Sequence, residues 1–118
     1  MTPEGRIKAA VDKALLNSAA YWHRPIGSAY GAAALDYHVA NMGYYASIET
    51  KSSTSNHPTV RQTATMRKVI DSNSSVFLID AIDGPDLQEL KDWLAKPTFK
   101  FVSTTAEKWL ASQEKSLD

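Results

Sequence analysis

The chain contains no cysteine. That excludes a disulfide framework and cysteine-ligated zinc, and folding does not depend on an oxidising compartment. Charge of one sign is also missing, because thirteen basic and thirteen acidic side chains give a formal net charge of zero over 118 residues. A whole-protein field cannot hold a polyanion, so any nucleic-acid binding has to come from a local patch. No apolar run approaches the length needed to span a bilayer. The N-terminal stretch MTPEGRIKAAVDKALL spreads its charges rather than following a basic start with an apolar run. The expectation is a cytoplasmic protein with no membrane contact. What the chain does have, 43% hydrophobic and 22% charged residues, fits one globular domain over 1–118. Within it, 2–96 reads as the core and 97–118 as a C-terminal extension, with no internal repeat and no separating linker.

Thr2-Pro3-Glu4 has the chemistry of a helix start, with Thr2 as N-cap, Pro3 at the first helical position and Glu4 facing the positive end of the dipole. Ile7, Ala10, Val11, Ala14 and Leu15 fall on one face, predicting a helix to about Ser18. YWHRPI reads as a short strand ended by the loop from Gly27 to Gly31. Leu35 to Ala40 and Tyr44 to Glu49 form a predicted hairpin around Asn41-Met42-Gly43. A polar loop from Ser52 to Pro58 leads to a helix over about Thr59 to Ser72, whose buried face is Met66, Val69 and Ile70. SVFLIDA is apolar throughout, as a strand buried on both faces should be. Pro85 starts a further helix with Leu87, Leu90, Trp93 and Leu94 at core spacing, and Pro97 ends it. TAEKWLASQEKS can form a last short helix. The order predicts an α/β fold, a small mixed β-sheet flanked by helices.

Chemistry concentrates at the hairpin. Glu49 and Lys51 project to the same side of a strand, while Thr50 points away and leaves its carbonyl near the Glu49 carboxylate. With Met42 and Gly43 at the centre of the turn, Asp36 sits across from Glu49, and two like charges so placed repel by up to ~1 kcal/mol. A divalent cation between them removes the conflict. Asp36, Glu49 and the Thr50 carbonyl, completed by water, make an oxygen-only site suited to Mg²⁺, with Mn²⁺ as a substitute. Lys51 could then orient a nucleophilic water or stabilise the added negative charge of a phosphoryl transition state. Gln62 has two readings. Thr59-x-x-Gln62 fits a capping box, yet Gln62 shares a helix face with Met66 and Val69, which favours a role facing the sheet and its carboxylates. His23, His38 and His57 show no metal-ligand spacing, although His38 shares a strand face with Asp36.

Thr-Pro-Glu-Gly near the start, Gly-x-x-x-x-Asp-Tyr-His, Ala-x-Ile-Glu-Thr-Lys and Pro-Thr-x-x-Gln together resemble the VRR-NUC branch of the PD-(D/E)XK nuclease superfamily, in its short stand-alone bacteriophage form. The resemblance spans Thr2 to Ala81, with Leu35 standing where the superfamily's name has Pro. It implies a restriction-endonuclease-like core and a metal-dependent endonuclease acting on DNA. Asp36 and Glu49 would be the metal ligands, Lys51 the catalytic lysine, and Gln62 and Glu4 supporting polar residues. Stand-alone members are similar to Holliday-junction resolvases, which implies branched DNA, a homodimer and, for a phage protein, the host cytoplasm. On that reading Arg24, Arg61, Arg67 and Lys68 are candidates for phosphate contacts, with Tyr30 near the DNA path. The rival readings are a non-catalytic DNA- or protein-binding module on the same fold, and a phage interaction protein that works through its tail helix.

Overall fold

The computed structural model describes residues 1–26 and 34–115. Helix α1 (Pro3–Leu16) starts as the sequence predicts, with the Thr2 hydroxyl accepting from the Gly5 N–H, and it ends two residues before Ser18. Strands β1 (Tyr21–His23), β2 (Tyr37–Asn41) and β3 (Tyr44–Thr50) follow, then helix α2 (Val60–Asp71), strand β4 (Ser75–Ile79), and helices α3 (Pro85–Ala95) and α4 (Thr104–Lys115). The sheet runs β1-β2-β3-β4, antiparallel across the first three strands and parallel between β3 and β4. This is the expected mixed sheet. Parallel pairing of β3 with β4 requires a crossover, and α2 supplies it.

The hairpin turn is Met42-Gly43, with φ of 54° and 85°, so both central residues are left-handed as a type I′ turn demands. Asn41 pairs with Tyr44 and Tyr37 with Ile48, the register the sequence argument assumed. Only the ladder ends differ: Leu35 and Asp36 precede β2 rather than lying in it, and β1 stops at His23.

Each sheet face has its own apolar layer. On one, Tyr37, Val39, Ala46, Ile48, Phe77 and Ile79 pack with Ile7, Val11 and Leu15 of α1 and with Leu87, Leu90 and Trp93 of α3. On the other, Val76 and Leu78 meet Leu35, Met66 of α2, and Ala106 and Leu110 of α4. Ala106 and Leu110, from the segment expected as a C-terminal extension, thus supply part of the second layer. Phe101 and Ser103 also cover the free edge of β4, where the Val76 N–H donates to the Phe101 carbonyl and the Ser103 N–H to the Val76 carbonyl. A covered edge cannot recruit a foreign strand. Among the described residues, the segment 98–115 therefore packs as part of the fold.

Met42 is 70% exposed and sterically unsuited to positive φ. Met42→Asn creates an Asn-Gly pair that adopts this turn readily, and should raise stability by on the order of 0.5–1 kcal/mol. A thermal melt checks it; an unchanged or lower melting temperature counts against the turn geometry.

Candidate active site

Strand β3 carries the site at its C-terminal end, where the sheet stops hydrogen-bonding to β2 and α2 begins to cover it. Glu49 is 2% exposed there. Its Oε2 accepts a hydrogen bond from Gln62 Nε2 at 2.8 Å and lies 3.3 Å from Lys51 Nζ. Its Oε1 is buried with no hydrogen-bond partner among the described residues. Burial, and secondarily the nearby Asp36 charge, push the Glu49 carboxyl up to about 7, against the opposing pull of Lys51 and of the Asp36 backbone. The like-charge conflict inferred from the hairpin register is therefore present.

Asp36 solves its own desolvation differently. Both the N–H and the hydroxyl of Thr50 donate to Asp36 Oδ2 at 2.8 Å, while Oδ1 faces Lys8 Nζ at 3.6 Å. Two short bonds on one oxygen fix the carboxylate and leave the other oxygen with only an ammonium nearby. The Thr50 carbonyl was the expected contributor; its side chain has a further part, since its hydroxyl reaches Asp36. This is possible because Asp36 lies in the bend before β2, where strand alternation does not dictate its direction.

Gln62 takes both of the roles treated as alternatives. Thr59 Oγ1 accepts from the Gln62 N–H at 3.0 Å and Gln62 Oε1 accepts from the Thr59 N–H at 2.9 Å, a complete capping box. The same Oε1 accepts from Lys51 Nζ at 2.9 Å, while Nε2 reaches Glu49. A primary amide has an acceptor at one end and donors at the other, so one side chain serves both.

The remaining sequence candidates scatter. Glu4 is half-buried one turn before Lys8 on α1 and has no hydrogen-bond or ion-pair partner among the described residues. Arg24 lies 3.9 Å from Asp12 Oδ2 and over the Tyr37 ring, joined to α1 rather than to the carboxylates. Arg61 and Lys68 are exposed, two turns apart along the outer side of α2. Arg67 is engaged by Glu114 and the Leu110 carbonyl, each at 3.3 Å. Tyr30 lies outside the described residues. Two contributors were missed: Lys8 and the Thr50 side chain. Helical spacing from Glu4 was the available signal for Lys8; a side chain bonding around a bend left none for Thr50.

Among the described residues no three His, Asp or Glu side chains converge on a common point. Asp36 and Glu49 are close enough for their charges to interact, and among the described residues Glu49 Oε1 has no hydrogen-bond donor while Asp36 Oδ1 faces only the Lys8 ammonium; such hard oxygen donors fit a divalent cation completed by water.

The sequence matches no family model and no curated protein. The fold is similar to that of a solved structure described as a VRR_NUC domain, with a TM-score of 0.64 and 14% identity, over 83% of this chain and 100% of that one. The chain thus has the restriction-endonuclease-like α/β fold of a VRR_NUC domain.

A carboxyl whose folded pKa exceeds its unfolded value binds more protons folded than unfolded. For Glu49 this means that metal-free stability falls as pH rises from about 4.5 to about 7. Glu49→Gln should therefore raise the melting temperature of EDTA-treated protein more at pH 8 than at pH 5. Equal increments at both pH values mean the carboxyl titrates normally.

Proposed function

We propose that the chain is a divalent-metal-dependent endonuclease that hydrolyses phosphodiester bonds in DNA. The observation that carries this reading is the buried Glu49 carboxylate with an orphaned Oε1, set beside Asp36 and tied to Lys51 through Gln62. A carboxylate kept buried and half-satisfied is costly to a fold unless something else completes it. Asp36 and Glu49 would hold Mg²⁺ or Mn²⁺, with the Thr50 carbonyl and water as further donors. When bound, the cation polarises the scissile phosphate and lowers the pKa of a water molecule.

The chain's own residues supply the rest. Lys51 Nζ has three N–H donors; one goes to Gln62 and a second points toward Glu49. The third is available to an attacking water or a phosphate oxygen, where an ammonium in a partly dry site stabilises developing negative charge. Gln62 fixes the direction of that ammonium and so acts as a positioning residue. Thr50 holds the Asp36 carboxylate in place before substrate arrives, which avoids reorganising it during the reaction. In-line attack by water that forms a new P–O bond and expels the 3′-oxygen, the outcome the nuclease resemblance implies, leaves a 5′-phosphate and a 3′-hydroxyl. A preference for branched DNA and a homodimeric form belong to the same proposal, since resolving a four-way junction takes two cuts. With zero net charge, DNA affinity would come from the α2 cations Arg61 and Lys68 and from Lys8.

Plasmid and four-way junction DNA, incubated with Mg²⁺, Mn²⁺ or EDTA, test the reading. Cleavage should need the metal, vanish in Asp36→Asn and Glu49→Gln, and fall by ~100-fold or more in Lys51→Ala. Salt-dependent DNA binding without turnover in any metal would make the chain a binding module instead. Gln62→Ala should lower both quantities at once: stability by ~0.5–2 kcal/mol, as for a lost cap, and the cleavage rate of the protein that remains folded. A variant that melts early and cuts at the normal rate would confine Gln62 to the capping box.

A further inference from the structure

We propose that His23 and His38 form a second metal site, for a borderline transition ion of the zinc class, separate from the oxygen donors of Asp36 and Glu49. The two residues are fifteen apart in sequence and carry no ligand spacing, but the antiparallel ladder sets them directly opposite each other on β1 and β2. Directly opposed residues share a sheet face. Their ring centroids are 5.1 Å apart. Two imidazoles on one tetrahedral zinc, with Zn–N of ~2.0–2.1 Å and each ring centre ~1.1 Å behind its nitrogen, have centroids ~5 Å apart. The pair already has the separation that shared coordination requires.

The neighbours of His38 fit the same purpose. Its Nδ1 shares a hydrogen bond with Tyr45 Oη, and Tyr45 Oη is 3.0 Å from Ser47 Oγ, which is buried. In the tautomer whose Nδ1–H donates to Tyr45, Nε2 is left bare as a ligand. The Tyr45 hydroxyl can pass its own proton toward Ser47. Metal-binding histidines characteristically donate the second ring nitrogen to such an oxygen, which fixes the ring and raises its basicity. His23 is exposed on the edge strand, so an ion enters directly from solvent. Imidazole nitrogen selects zinc, nickel, cobalt and copper ions over magnesium, which prefers oxygen and keeps its water. Two protein ligands with water in the remaining positions make an exchangeable site rather than a closed structural one.

The experiment measures binding and needs no cleavage, so its outcome is independent of the nuclease reading. Zn²⁺ is titrated calorimetrically into full-length protein in excess Mg²⁺, and Co²⁺ binding is followed by its visible absorption. Wild type should bind one equivalent of either ion. His23→Asn and His38→Gln should each weaken binding by about tenfold or more, and Tyr45→Phe by ~10–100-fold. Asp36→Asn and Glu49→Gln should bind as wild type does. Melting temperatures without metal identify folded variants, and His23, exposed at the sheet edge, should tolerate exchange. The proposal is overturned by absence of saturable binding to wild type, by wild-type affinity in both histidine variants, or by loss of Zn²⁺ in Asp36→Asn, which assigns the ion to the carboxylates.

Discussion

Glu49 is held in the protein by an amide. Gln62 donates to its carboxylate from one end, and with the other accepts from Lys51 and from the backbone that opens α2. The start of that helix, the position of the ammonium and the orientation of the buried carboxylate are set by one side chain, so none can shift alone. A helix cap is a local device with a local free energy. Here it also fixes side chains on a neighbouring strand, which is why the first turn of α2 lies beside the C-terminal end of β3.

The carboxylates are costly to bury, and the two sheet faces set that cost. Leu35, Met66, Val76 and Leu78 make the second face apolar beside Glu49, with Ala106 and Leu110 of α4 completing it. Water is excluded there, which pushes the Glu49 carboxyl up and would strengthen any charge interaction inside the site. Asp36 lies nearer solvent and is met by two Thr50 donors and the Lys8 ammonium. Two carboxylates in adjoining positions thus have unequal environments, one poor in donors and one supplied with them. The apolar layer is as much part of the site as the charged groups. The segment after Pro97 contributes to it without supplying a polar group to the site.

The same strand arithmetic explains what lies along the sheet from Glu49. Ser47 and Tyr45 precede it at alternate positions on β3, and His38 and His23 continue the row across β2 and β1. Burial and the neighbouring His23 hold His38 below the ordinary histidine range, so it is a neutral donor near physiological pH. An oxygen-rich end and a nitrogen-rich end occupy one sheet face, suited to different classes of cation.

By itself the sequence determined every helix and strand of the described residues to within a few positions, along with the hairpin register. These follow from local patterns: apolar spacing, a proline after an N-cap, and an Asn-Met-Gly turn. The side shared by Glu49 and Lys51 was legible too, because strand alternation is a short-range fact. Tertiary structure alone decided that the last helix belongs to the core, since Ala106 and Leu110 meet Val76 and Leu78 only after the chain has crossed the sheet. It decided that Lys8 reaches Asp36 and that Thr50 donates to it, contacts formed between separate elements and around a bend. It also decided that Gln62 both caps and positions, because propensity describes a residue in its own helix and says nothing of the strand its amide faces.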